Sequence, residues 1–499
     1  MVMRRLLSIA IVSIITTSCG SSGTDMASEP VTSPSVVTTD PPLAIPDIEW
    51  KRCAATKAEC AVIEVPFDYE RPEIGSFDLP LARHLARVPA ERIGVLFTNA
   101  GGPGSESRWL AEDADYYFSE VILDRFDIVA WDPRGTGGAR PELDCVDDMD
   151  PYFGLDPSPD LDEETEVLLR AAGEFVSSCQ ERSGDILPYI STESTARDID
   201  FIRRALGEDT ASFLGFSYGS ELGAVWATMF PDTVRAAVLD AAADPDLDLI
   251  DWLTLQSSGF ERMLEAFFAD CDLHGCSYSD ADETAAMAFD RIMLEIDSAP
   301  QRVSADRPEI GQGFALIAMY SSLYSDDTWA ELDSALAEAD NFTPDRLVTL
   351  YDGYFGGYRD GHPDDSMDSY IAITCLDRGE DFSTDDAFEA MVEVNRVSPR
   401  LGAGVLQELL LCALWPIDPH PSPDVEWSGD VPILVLGSTG DSATPLEGTR
   451  RMVESLGNAM LVIVDSFDHT SYGLDSCATE IVDDYLVDLI TFDVDKKCE

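Results

Sequence analysis

Ala211-Ser212-Phe213-Leu214-Gly215-Phe216-Ser217-Tyr218-Gly219 runs directly into Ser220–Phe230, which ends at Pro231. The first five residues form a short, mostly apolar run closed by glycine, the pattern of a buried strand. The last eleven place apolar residues at helical spacing and stop before proline. Between them, Gly215-x-Ser217-x-Gly219 leaves room only for a sharp turn. Glycine on either side lets the backbone make that turn and keeps space around the serine hydroxyl. Strand, tight turn and helix with serine at the apex is the setting that exposes a serine as a nucleophile. The plainer alternative is a glycine-rich turn whose serine only caps the helix.

Similar short aliphatic runs lie on both sides, at Ile93–Phe97, Phe126–Trp131, Ala236–Leu239, Pro432–Gly437 and Met460–Val464. A helical pattern at Thr195–Leu206 separates two of them. This alternation predicts the α/β class, with a mostly parallel sheet covered on both faces. Between 246 and 430 the strand signal fades. Phe260–Phe268, Thr284–Ile296, Phe314–Tyr324, Thr328–Ala339 and Asp386–Val394 carry helical spacing instead. The expected organisation is one core built from 48–245 and 431–499, interrupted by a large, mostly helical cap at 246–430.

A serine nucleophile needs a base and an acid that orients the base. The chain has five histidines. His84 precedes the serine, His274 and His362 lie in the helical stretch, and His420 sits in a proline-rich link. His469 follows the late strand run Met460–Val464 and is the candidate base. Asp441 follows the strand run before it and is the candidate acid; Asp465 and Asp468 are rivals, close to His469 along the chain. The developing oxyanion needs backbone N–H donors. Tyr218, next to the serine, offers one. The other is expected from the loop Asn99-Ala100-Gly101-Gly102-Pro103-Gly104, after an early strand run.

Asp and Glu total 95 against 32 Lys and Arg, a formal charge of −63. The acidic chain repels phosphate backbones, so no nucleic-acid partner is expected. It repels anionic lipid too, so membrane contact requires an anchor. Arg4 and Arg5, the apolar run Leu6–Ile15 and the small residues after it read as a signal peptide over 1–18. Cys19 stands where a bacterial lipobox places its lipidated cysteine. Residues 19–47, rich in Gly, Ser, Thr and Pro, then form a flexible tether. The expected location is outside the cell, membrane-anchored through Cys19 or secreted. Ten further cysteines in an exported chain suggest disulfides. Pairing neighbours would give 53–60, 145–179, 271–276, 375–412 and 477–498, although sequence alone leaves the connectivity open. With no CxxC pair and few histidines, no metal site and no cofactor are expected.

Together these residues resemble α/β-hydrolase peptidases related to prolyl iminopeptidase, above all the secreted tripeptidyl aminopeptidases of actinobacteria. The matching stretches are Gly101-Gly102-Pro103-Gly104, Asp132-Pro133-Arg134-Gly135-Thr136-Gly137, Gly215–Gly219, Leu239-Asp240 with Asp244-Pro245, Thr374-Cys375-Leu376-Asp377, Gly440-Asp441-x-x-Thr444-Pro445 and the Cys477…Cys498 segment. The resemblance implies an α/β-hydrolase fold, with Ser217 as nucleophile, Asp441 as acid, His469 as base, and Gly102 and Tyr218 as oxyanion donors. It departs at Ala100, where iminopeptidases carry His and the tripeptidyl branch Pro, and at Ala139, commonly Ser. The implied substrates are peptides with a free N-terminus, cut to release short units such as tripeptides. A cap carboxylate would hold the terminal ammonium, and Asp377 is the candidate. An esterase or lipase could use the same three catalytic residues, and a non-catalytic binding lipoprotein could share the fold. Serine at the elbow excludes a hydrolase with an aspartate nucleophile.

Overall fold

The computed structural model describes residues 44–499, except 55, 281, 303–309, 356–357, 360–361, 364–365 and 380–381. The predicted signal peptide and Cys19 lie outside the described residues. Among the described residues twelve strands occur in chain order: β1 Lys51–Arg52, β2 Glu59–Pro66, β3 Ser76–His84, β4 Gly94–Asn99, β5 Phe126–Trp131, β6 Ala211–Phe216, β7 Val234–Asp240, β8 Tyr358–Arg359, β9 His362–Pro363, β10 Ile433–Ser438, β11 Ala459–Val464 and β12 Lys496–Cys498. Ten form one sheet in the order β1-β2-β3-β5-β4-β6-β7-β10-β11-β12. Pairings from β5 through β12 are parallel, whereas β1, β2 and β3 join antiparallel. This is the α/β-hydrolase arrangement that the strand–helix alternation predicts.

The central strands are apolar along their length because helices cover both faces. Every residue of β4 and β10 is buried. On one face Leu96, Ile128, Leu214, Val238, Leu436 and Val462 pack with Leu123, Val482 and Tyr485. On the other, Phe213 meets Trp226 of the helix Tyr218–Met229, ring centroids 5.9 Å apart.

Between β7 and β10 the helices Leu249–His274, Ala285–Ser298, Gln312–Ser322, Trp329–Asp340 and Asp345–Tyr354 contribute to a second apolar core. It is built on Phe267, Phe289, Ile292, Leu316 and Leu336. The helices Ser366–Arg378, Thr384–Val397 and Val405–Ala413 follow before the chain returns to the sheet.

Five disulfides join Cys53–Cys60, Cys145–Cys179, Cys271–Cys276, Cys375–Cys412 and Cys477–Cys498. Among the described residues no helix is long and apolar enough to cross a membrane. The Asp132–Gly137 loop is a brace. Asp132 accepts from the Ser107 and Gly138 backbones and from Arg108 Nε. Arg134, fully buried, holds Asp198 through two hydrogen bonds of 2.8 and 2.5 Å.

Candidate active site

Ser217 stands at φ 55°, ψ −126° between β6 and its helix. A non-glycine residue holds positive φ only where its surroundings enforce it. Here the Ser217 N–H donates to the Asp240 carbonyl at 2.9 Å, and the Ser217 carbonyl accepts from the Ser220 N–H at 2.8 Å. The flanking glycines are required sterically. A Cβ on Gly215 would lie 2.1 Å from the Gly219 carbonyl oxygen, and one on Gly219 would lie 2.7 Å from that of Asn99.

The loop after β4 packs against this elbow. A Cβ on Gly101 would fall 2.6 Å from Phe216 O and 3.0 Å from Ser217 Cβ. Asn99 Oδ1 accepts the Gly101 N–H at 3.0 Å, and Ser107 Oγ accepts the Ala100 N–H at 3.0 Å. The Gly102 and Tyr218 N–H groups have no acceptor among the described residues, and both residues line one pocket with Ser217.

His469 follows β11, and its Nδ1 lies 2.9 and 3.1 Å from the two Asp441 oxygens. Asp441 also accepts the Ala443 and Thr444 N–H groups and the Thr444 hydroxyl. With Nδ1 bound to a carboxylate, the proton resides there and Nε2 is left able to accept one. Burial opposes the charged imidazolium, but the Asp441 charge and hydrogen bond outweigh it and raise the His469 pKa. The rivals are engaged elsewhere: Asp465 accepts from Thr439 Oγ1, and Asp468 from Ser325 and Ser466. Ser217 Oγ has no hydrogen bond to His469 among the described residues. In hydrolases this contact often tightens only when substrate binds.

Asp377, on the helix Ser366–Arg378, lines the pocket with Ser217, Glu221, Trp252 and Ile373. Its carboxylate accepts from Thr192 N at 3.1 and 3.0 Å and from Thr192 Oγ1 at 2.6 Å. Burial pushes the carboxyl up to about 8, although the Thr192 bonds pull the other way. Glu221, beside it, is paired with Arg378 at 2.6 Å. Among the described residues two groups of side chains have metal-like spacing, Cys53–Cys60–Glu112 and Asp475–Cys477–Cys498. Their cysteines are disulfide-bonded and have no thiolate to offer.

Residues 398–498 match a family described as TAP-like protein. The serine protease Hip1 of Mycobacterium tuberculosis is 30% identical over 483 residues, covering 92% of each chain. The chain belongs to this TAP-like α/β-hydrolase family. A tripeptidyl aminopeptidase of Streptomyces coelicolor is 28% identical over 463 residues, covering 88% of this chain and 84% of its own. A carboxylesterase B of M. tuberculosis is 31% identical over 475 residues, covering 90% and 89%.

In this TAP-like hydrolase several residues around the site carry little signal in the sequence. Thr192 opens the helix Thr192–Ala205, capped by Ser191, and clamps Asp377 from 185 residues away. Asp240 ends β7, and its carboxylate accepts the N–H groups of Ser471 and Tyr472 just past His469. Nothing in local spacing marks either contact. Thr444 was legible only inside the Gly440–Pro445 motif.

Proposed function

We propose that this enzyme is an exported serine peptidase that releases short units, tripeptides by its resemblance, from free peptide N-termini. Ser217, His469 and Asp441 would act as nucleophile, base and orienting acid. The observation that carries the reading is the His469 Nδ1–Asp441 contact beside an elbow serine held at positive φ.

Ser217 Oγ attacks the scissile carbonyl while His469 Nε2 takes its proton. The carbonyl oxygen becomes an oxyanion facing the Gly102 and Tyr218 N–H groups. A donor of this kind contributes about 3–4 kcal/mol to transition-state stabilisation in related chemistry. The intermediate collapses, the C–N bond breaks, and the imidazolium protonates the departing amine. Water, deprotonated by His469, then attacks the acyl-enzyme and frees the peptide acid and Ser217. Asp377 pairs with the terminal ammonium and disfavours blocked peptides, which would leave the buried acid without its partner. Cys19, as a lipid-bearing residue, would tether the enzyme outside the membrane; mass spectrometry of the purified chain reads the lipid directly.

The deciding assay uses three substrates: a tripeptide nitroanilide, its N-acetylated form and a short-chain nitrophenyl ester, with Ser217→Ala beside the wild type. Turnover of the free tripeptide alone, lost in the variant, is the expected result. Ester turnover without peptide turnover would instead favour an esterase, a reading supported by the relative named carboxylesterase B. Absence of Ser217-dependent turnover would favour a binding lipoprotein.

A further inference from the structure

Deep carboxylates in this protein commonly have a cation: Asp198 has Arg134, Glu221 has Arg378 and Glu261 has Arg400. Glu408, on the helix Val405–Ala413, does not. It is half-buried, and its Oε2 accepts the Tyr370 hydroxyl at 2.7 Å. Among the described residues no arginine, lysine or histidine is paired with it. Burial pushes its carboxyl up to about 7, and only the Tyr370 bond pulls it down. The Glu408 charge acts on the phenols Tyr370, Tyr354, Tyr324, Tyr320 and Tyr152, all held above their ordinary pKa, chiefly by burial.

The Glu408–Tyr370 pair adjoins the Ser217 pocket. Tyr370, Ile373, Thr374 and Asp377 share one face of their helix, at spacings of three, four and seven. The last three line the Ser217 pocket. A Cβ on Gly104 would lie 2.8 Å from Tyr370 N, so the oxyanion loop rests on the start of that helix. From the other side, the Tyr324 ring stands 5.4 Å from the His469 ring, and its carbonyl accepts the His469 N–H. Cys375–Cys412 locks the helix of Tyr370 to the helix of Glu408.

We propose that Glu408, with Tyr370, Tyr354 and Tyr324, forms a second subsite that receives a positively charged substrate group, an alkylammonium or guanidinium. Drawing a carboxylate partly out of water without a counter-charge is costly, and an incoming cation removes that cost. Tyrosine faces favour a cation and pack along its aliphatic stem. With Asp377 at one end of the helical face and Glu408 beyond the other, the group best suited to Glu408 is a basic side chain near the scissile bond. The peptide identity of the substrate rests on the function proposed above; the cation preference does not.

Calorimetric titration of the full chain tests this, with Ser217→Ala preventing turnover. The probes are acetyl-Ala-Ala-Lys amide, acetyl-Ala-Ala-norleucine amide and unblocked Ala-Ala-norleucine amide. The lysine peptide should bind at least about tenfold tighter than its acetylated norleucine twin, and Glu408→Gln should abolish that difference. If Glu408→Gln instead weakens only the unblocked norleucine peptide, the cation received is the N-terminal ammonium. Equal binding of all three peptides, no binding of any, or ratios unchanged by Glu408→Gln would overturn the proposal. Gln keeps an oxygen for Tyr370, and circular dichroism melting checks the fold. The lysine-to-norleucine ratio in the Glu408-containing protein stands without that variant. Failure of the peptidase reading is seen separately, as absence of nitroanilide turnover by the wild type.

Discussion

The main-chain carbonyl of Asp240 accepts the Ser217 N–H at 2.9 Å, while the Asp240 carboxylate accepts Ser471 N–H at 3.1 and 3.0 Å and Tyr472 N–H at 2.7 Å. One residue at the end of β7 therefore holds both the serine elbow and the loop that carries His469. Burial pushes the Asp240 carboxyl up to about 6, against the pull of its Tyr472 and Ser471 hydrogen bonds.

Asp240→Asn should separate this positioning role from plain structural support. Asparagine offers one acceptor oxygen to two N–H donors and turns an NH2 group toward one of them. The His469 loop should loosen, lowering kcat roughly 10–100-fold with a smaller change in KM. Asp240 also contributes to the raised His469 pKa. Removing its charge should move the acid limb of kcat/KM to lower pH. A lower rate with an unmoved limb would leave Asp240 as structural support only.

Gly101→Ala tests the seating of the oxyanion loop. Gly101 lies at φ +103°, and its Cβ would strike the Phe216 carbonyl oxygen at 2.6 Å. The loop must withdraw from the elbow, taking the Gly102 N–H with it. Loss of one such donor corresponds to about 100–1,000-fold in kcat. Nitroanilide kinetics on folded variant protein, checked by circular dichroism, should show that loss with the larger share in kcat. Wild-type kcat would remove Gly102 from the proposed oxyanion pair.

The central strands were legible because helices bury both their faces, which leaves unbroken apolar runs such as Phe126–Trp131. Strands β2 and β3 were not. Glu64 is exposed in β2 and Asp78 in β3 while their neighbours are buried, so an antiparallel edge interrupts the apolar run with charge. The helix Asp162–Ser183 carries a weak signal for the related reason that one side faces solvent and is dense in acids. At the candidate site, Ser217, Asp441 and His469 could be proposed because each follows a recognisable strand. Thr192, Asp240 and Glu408 act through partners 185, 231 and 38 residues away, contacts that only the folded chain creates.

Asp377→Asn tests the proposed recognition of the substrate N-terminus. The amide preserves size but cannot carry the charge that pairs with an ammonium. The preference for a free over an N-acetylated tripeptide nitroanilide should fall by about tenfold or more, mainly through KM for the free peptide. An unchanged preference would assign Asp377 to holding Thr192 and the helix start it opens.

Stability should fall as pH rises from mildly acid to mildly alkaline. Three carboxyls titrate high in the folded chain: the buried Asp240 at about 6, the half-buried Glu408 at about 7 and the buried Asp377 at about 8. Their ordinary values are 3.8, 4.5 and 3.8. Each folded pKa is raised, so between these limits the folded state binds protons that the unfolded chain has released. By linkage the stabilisation is complete below the unfolded pKa and is lost as pH climbs through the folded one. Urea unfolding across this range should show the decline, with salt high enough to screen the general repulsion of a chain at −63. Glu408→Gln and Asp377→Asn should each flatten it, because a neutral amide gains no charge on the way. A decline of unchanged slope in both variants would mean that these two carboxyls titrate at ordinary values, and the missing counter-charge at Glu408 would lose its energetic basis.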